Sequence, residues 1–183
     1  MARTILVTGG SRSGKSGYAQ NRAEGLPGPR LFVATCPDLD AEMVERIRRH
    51  REERAGRGWT TVEETVNLQE VLDRERKANA VLVDCVTLWV NNLMYHAEGE
   101  KRRFDESAMA RCATRLAEAC ARHPGTVLLV TNEVGWGIIP ENALARRFRD
   151  LAGRCNQVLA DAADEVVLVL CGIPTTLKKR ETP

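Results

Sequence analysis

Val7–Ser16, VTGGSRSGKS, decides the fold. The apolar run Ile5-Leu6-Val7-Thr8 reads as the end of a buried strand, the glycines after it as a turn, and Lys15 as the start of a helix. Gly9-x4-Gly14-Lys15-Ser16 meets the P-loop pattern in full. Glycines at these places let backbone N–H groups converge on phosphate oxygens with no Cβ in the way. The helix N-terminus behind them favours negative charge. Lys15 is placed to reach the β- and γ-phosphates, and the Ser16 hydroxyl to ligate Mg²⁺. Gly9, Gly10, Ser11, Arg12, Ser13, Gly14, Lys15 and Ser16 are therefore read as a nucleoside-triphosphate site.

Outward from this stretch, helical segments alternate with short apolar runs. A helix over 15–24 ends at Gly25-Leu26-Pro27-Gly28-Pro29, which cannot continue one. Buried strands are predicted at Leu31–Thr35, Ala80–Asp84, Thr126–Thr131 and Glu165–Leu170, with a brief extended segment at Trp59–Glu63. Helices are predicted at 42–54, 67–76, 85–95, 106–122 and 141–163. Continuous apolar strands between helices indicate a parallel sheet covered on both faces. The expected fold is α/β: a P-loop NTPase (RecA-like) of three α/β/α layers with a mostly parallel central sheet, in one domain over residues 1–183.

Composition narrows the classes. The 27 basic residues are nearly matched by 25 acidic ones, so the net charge of +2 points away from a nucleic-acid binder. No apolar run approaches the ~18–20 residues that span a bilayer. No signal peptide is expected before the first strand. The six cysteines form no C-x-x-C pair and no metal-like spacing with the histidines, so reduced thiols in a cytoplasmic protein are expected rather than zinc. His96 and His123 read as surface residues, and Trp89 as core.

In such sheets ligands bind beyond the carboxyl ends of the strands. Thr35, Asp84 and Asn132-Glu133 fall there. Asp84 reads either as a carboxylate that holds Mg²⁺, directly or through water, or as the N-cap of the next helix. Glu133 reads as a general base for a substrate hydroxyl or as part of a structural turn. Trp136, between two glycines, can cover a ligand or pack on a neighbouring subunit. In the basic helix, His50 has Arg46 and Arg54 one turn to either side. That setting suits polyphosphate binding and an unprotonated imidazole nucleophile, but it equally suits a solvated surface histidine.

The motifs together resemble one family over nearly the whole chain. GGSRSGKS (9–16), RRHREER (48–54) with a tryptophan soon after, VDCVTLWVNNLM (83–94), TNEVGWGIIPEN (131–142) and RRFRDLAGRCNQVLADAADEVVLVLCGIP (146–174) are similar to the bifunctional adenosylcobinamide kinase/adenosylcobinamide-phosphate guanylyltransferases of cobalamin biosynthesis. The resemblance implies phosphorylation of the adenosylcobinamide aminopropanol hydroxyl by ATP or GTP. It also implies transfer of GMP from GTP, through a guanylylated histidine, to adenosylcobinamide phosphate. By position in the H-R-x-x-R segment, His50 would be that histidine. Further nucleotide contacts would come from Ala34, Thr35 and Cys36, from Arg51, Glu52, Glu53 and Arg54, and from Glu63 and Asp84. Ser16 and Asp84 would be the Mg²⁺ ligands, and a homotrimer is implied.

This chain departs from the family pattern at one place: Ala55 stands where a proline is usual, and Trp59 lies nine residues after His50 instead of eight. That makes the path of Gly56–Gly58, and so the placement of Glu63, the open structural question. The family also often has Glu where this chain has Asp84. A plain P-loop kinase for a small alcohol would leave the arginine–histidine helix idle. A GTP-driven switch would need a guanine motif such as N-K-x-D, which does not occur.

Overall fold

The β-branched and leucine-rich runs pair into one sheet. The structure is a computed structural model that describes residues 3–36, 52 and 54–180. In chain order, β1 (Arg3–Thr8) leads through the P-loop into α1 (Lys15–Glu24), then β2 (Arg30–Ala34) and β3 (Trp59–Glu63). Next come α2 (Leu68–Arg74), β4 (Ala80–Asp84), α3 (Val86–Gly99) and α4 (Glu106–Arg122). The chain closes with β5 (Thr126–Val130), a 3₁₀ turn at Val134–Trp136, α5 (Ala143–Ala162), β6 (Glu165–Leu170) and β7 (Ile173–Lys179). The sheet order is β3-β2-β4-β5-β1-β6-β7. All pairings are parallel except β6 with β7.

Alternate side chains of each strand enter two cores. Leu6, Leu31, Val81, Val83, Val127 and Leu129 pack with the apolar faces of α2–α5. Ile5, Val7, Phe32, Leu82, Leu128 and Val130 pack with Ala19 and Ala23 of α1. This is the expected three-layer, mostly parallel α/β arrangement. α4 and α5 begin at capped turns, where Asp105 and Asn142 side chains accept the Ala108 and Ala145 N–H groups.

Three sequence expectations change. Trp59–Glu63 is a full parallel edge strand, in register with β2 from Arg30↔Trp59 to Ala34↔Glu63. Ile173–Lys179, for which no strand was predicted, is an antiparallel seventh strand. Its side chains are mostly exposed, so no buried period marked it. Lys178 and Arg180 donate to the Ala160 and Asp161 carbonyls at the end of α5. His123 is buried, not at the surface: its Nδ1 accepts the Gly125 N–H at 3.1 Å and its Nε2 lies 3.3 Å from the Glu75 carbonyl oxygen. A polar loop histidine gave no periodicity from which that clamp could be foreseen.

Candidate active site

Strand register assembles the site. Ala34 lies opposite Glu63 on one side and Asp84 on the other; Asp84 pairs with Val130, and Val130 with Val7. One row across the sheet therefore ends at the P-loop. Asp84 shares the face of Leu82, and Ala34 that of Phe32, so both point to the side on which α1 starts.

The P-loop turns through Gly9, Gly14 and Arg12, the last at a φ of 57°. Gly14 has φ 92°, and a Cβ there would stand 3.3 Å from Gly172 Cα. The β6–β7 turn is thus seated against the loop, and the Gly172 N–H donates to the Ser13 carbonyl at 2.8 Å. Lys15 is buried, and its Nζ donates to the Gly10 carbonyl at 3.0 Å. Burial lowers the Lys15 pKa from its ordinary value, and the Asp84 carboxylate opposes that shift.

A cleft of about 730 Å³ opens here, lined by Ser11, Arg12, Ser13, Gly14, Lys15, Ser16, Ala34, Cys36, Arg54 and Asp84 among the predicted residues. Gly9 and Gly10 shape the loop from behind. Thr35 is fully buried, and its hydroxyl accepts the Cys85 N–H and donates to the Cys85 carbonyl, both at 2.8 Å. It holds the β2 and β4 ends together rather than facing the cleft. Glu63 is exposed at the end of its strand, in the Ala34–Asp84 row but not in the cleft wall. Glu52 is exposed, while His50, Arg51 and Glu53 lie outside the described residues. The N-cap position of α3 falls on Cys85, not on Asp84, and no side chain caps it. Burial pushes the Cys85 thiol up to about 11, with Asp84 beside it adding to the shift.

The described stretch from Arg54 to Trp59 is a tight turn. Gly56 and Gly58 both take φ 75°, a turn that glycine makes without strain. Arg30 donates to the Arg57 carbonyl, and Trp59 Nε1 donates to Glu24 at 3.0 Å, which returns the chain to the sheet in register. Arg54, only 5% exposed, lays its guanidinium 3.5 Å from the centre of the Phe32 ring. Trp59 meets the same ring edge-on at 6.2 Å.

Phe32, Thr61, Leu88 and Asn132 also line the cleft, and the sequence did not single out the first three. Phe32 and Thr61 belong to no local motif, and only strand parity brings them to that face. Asn132 and Ser13 each bury a side-chain oxygen with no hydrogen-bond partner in the cleft region, a polar lining suited to a hydrated or phosphorylated ligand. Among the described residues no cluster of three or more His, Cys, Asp or Glu could hold a metal by itself.

Comparisons with known proteins agree with this geometry. The fold is similar to that of the flagellar accessory protein FlaH from Methanocaldococcus jannaschii, with a TM-score of 0.55 and 11% identity over 98% of this chain and 79% of that one. The chain is 46% identical over 181 residues to the bifunctional adenosylcobalamin biosynthesis protein CobU of Escherichia coli, covering 95% of this chain and 99% of that protein. It is 45% identical to the CobU of Salmonella typhimurium over the same shares. It is also 36% identical to the bifunctional protein CobP of Pseudomonas aeruginosa, over 94% of this chain and 96% of that one. The family model described as cobinamide kinase / cobinamide phosphate guanyltransferase matches residues 5–177, from the strand before the P-loop to the edge strand that closes the sheet. With the P-loop, the Arg54 wall and the Asp84 rim spanned by one match, the chain belongs to the CobU family of cobinamide kinases / cobinamide phosphate guanyltransferases.

Proposed function

We propose that this chain, acting as one catalytic domain, phosphorylates adenosylcobinamide with ATP or GTP and then guanylylates the product through His50. The observation that carries the reading is Arg54. It closes the H-R-x-x-R segment that begins at His50, and its buried guanidinium forms part of the wall of the P-loop cleft. The last residue of that segment therefore stands in the wall of the P-loop cleft, which supports the reading. In the kinase step Lys15 and the P-loop amides hold the β- and γ-phosphates. In the transferase step an imidazole nitrogen attacks the α-phosphorus of GTP, a P–N bond forms and pyrophosphate leaves. An oxygen of adenosylcobinamide phosphate then attacks the same phosphorus and releases the histidine, giving adenosylcobinamide-GDP.

Ser16 and Asp84 line one cleft, and their side-chain oxygens would hold Mg²⁺, which normally takes one or two protein oxygens with the remainder from phosphates and water. When bound, the ion would neutralise phosphate charge. Among the described residues no helix is long and apolar enough to cross a membrane, in keeping with a cytoplasmic enzyme. A homotrimer is part of the same reading. Exposed Trp136 (63%), Ile138 (96%) and Ile139 (66%) on one loop offer apolar surface to a neighbouring subunit.

Mass spectrometry after incubation with GTP tests the central claim. One GMP adduct on His50 is expected, with none in His50→Ala. A wild-type level of adduct in that variant would overturn the assignment.

A further inference from the structure

Glu133 lies one residue beyond Asn132 of the cleft wall, and its backbone N–H donates to the Gly9 carbonyl at 3.1 Å. The loop after β5 is thus tied to the first glycine of the P-loop. The side chain turns back to the same place. Thr8, the last residue of β1, donates its hydroxyl to Glu133 Oε1 at 2.6 Å. Asn156, 8% exposed on α5, donates Nδ2 to that oxygen at 3.2 Å and to the Asn132 carbonyl at 3.0 Å.

Asn156 is itself held. Its Oδ1 accepts the Thr131 hydroxyl at 2.7 Å. Thr131 and Thr87 hydroxyls lie 3.2 Å apart, and Thr87 accepts the Asn132 N–H at 2.7 Å. Four elements (β1, α3, the β5 end and α5) thereby set the direction of one carboxylate. A carboxylate that merely stabilised its own turn would accept N–H groups of that turn. Among the described residues Glu133 accepts none of them, and its Oε2 has no protein partner.

We propose that Glu133 is the general base of the phosphoryl-transfer step, with Thr8 and Asn156 as its positioning residues. Oε2 takes the proton of the acceptor hydroxyl while that oxygen attacks the γ-phosphorus. The new O–P bond forms as the bond from the γ-phosphorus to the β,γ-bridging oxygen breaks. The electron pair leaves with the nucleoside diphosphate, and the carboxyl returns its proton to solvent. This assignment rests on the kinase half of the function proposed above. Guanylylation makes no such demand, because its nucleophiles are an imidazole lone pair and an ionised phosphate oxygen. Glu133 therefore separates the two reactions.

The test compares, on one preparation of the full chain, phosphate transfer to adenosylcobinamide with protein labelling by α-labelled GTP. Glu133→Gln keeps the size and the Thr8 contact but cannot take the proton. Its kinase kcat should fall by about 10²–10⁴ relative to the labelling rate, with nucleotide KM changed by less than about 3-fold. Thr8→Val keeps the shape and removes one donor, and should lower kinase kcat by about 3- to 10-fold relative to labelling. Kinase turnover of Glu133→Gln close to wild type, or equal losses of kinase and labelling in both variants, would overturn the proposal. A wild-type protein that labels with GTP yet phosphorylates no adenosylcobinamide would overturn the kinase reading, and this assignment with it.

Discussion

Lys15→Met should change stability and nucleotide binding in opposite directions. In the protein without ligand the Lys15 ammonium is buried and spends its hydrogen bond on the Gly10 carbonyl. Because its folded pKa is lowered, the charged form opposes folding below that pKa. The penalty fades as pH rises through it and is gone once the unfolded lysine is neutral as well, above about 10.5. Methionine fills similar space without that cost, so the unliganded Tm near pH 7 should hold or rise slightly. Binding should suffer, because a charge-assisted hydrogen bond to phosphate contributes about 1.5–3 kcal/mol, or about 10- to 150-fold in Kd. With GTP at about 100 times the wild-type Kd, linkage stabilises the wild type by about 2.7 kcal/mol. A variant with about 100-fold weaker binding gains only about 0.4 kcal/mol under the same conditions. At about 2–4 °C per kcal/mol for a chain of this size, the GTP-induced Tm shift should shrink from about 5–10 °C to about 1 °C. Thermal melts with and without GTP, alongside titration calorimetry, read both effects. A variant that melts several degrees lower yet binds GTP like the wild type would refute the placement of Lys15 at the phosphates.

Asp84→Asn keeps the shape of the cleft rim but removes the charge. The Mg²⁺ concentration for half-maximal turnover is expected to rise by about 10- to 100-fold in a metal titration of initial rates, whereas an unchanged requirement would remove Asp84 from the metal site. Away from the site, buried Glu165 bridges Arg3 at 2.7 Å and Arg22 at 2.8 Å. The arginines can reach water once released, so Glu165→Ala should cost about 1–3 kcal/mol rather than the larger loss of a fully buried pair, and denaturant titration checks it. Thiol mapping at pH 8 should find exposed Cys171 modified first and buried Cys120 and Cys155 protected until the chain unfolds. Folded Cys120 holds its proton to about 12 and the unfolded thiol only to about 9.0, so stability should decline as pH rises through that window.

The local signals read correctly from the residues share one property: each is a short stretch whose chemistry is complete in itself. The P-loop needs only glycine spacing, a lysine and a serine between a strand and a helix. Ala80–Asp84 is five residues of apolar run and carboxylate, and its place in the row with Ala34 follows from parallel pairing. Glu63 was harder, because its place depends on the turn that precedes it rather than on its own stretch. Gly56 and Gly58 at φ 75° make that turn, and Arg30 and Glu24 receive it, which sets the register of β3 on β2. The final strand escaped because its faces are exposed, so it carries no buried alternation.

Sequence by itself determined the layers, the triphosphate loop and the family, since backbone geometry and periodicity are properties of neighbours in the chain. Tertiary structure alone decided that Thr35 braces two strand ends, that His123 is buried, and that Arg54 stacks on Phe32 in the cleft wall. It also decided that Thr8 and Asn156 aim Glu133, across separations of 125 and 23 residues. Hydrogen-bond direction and burial depend on which distant groups meet, and no spacing within one segment encodes that meeting.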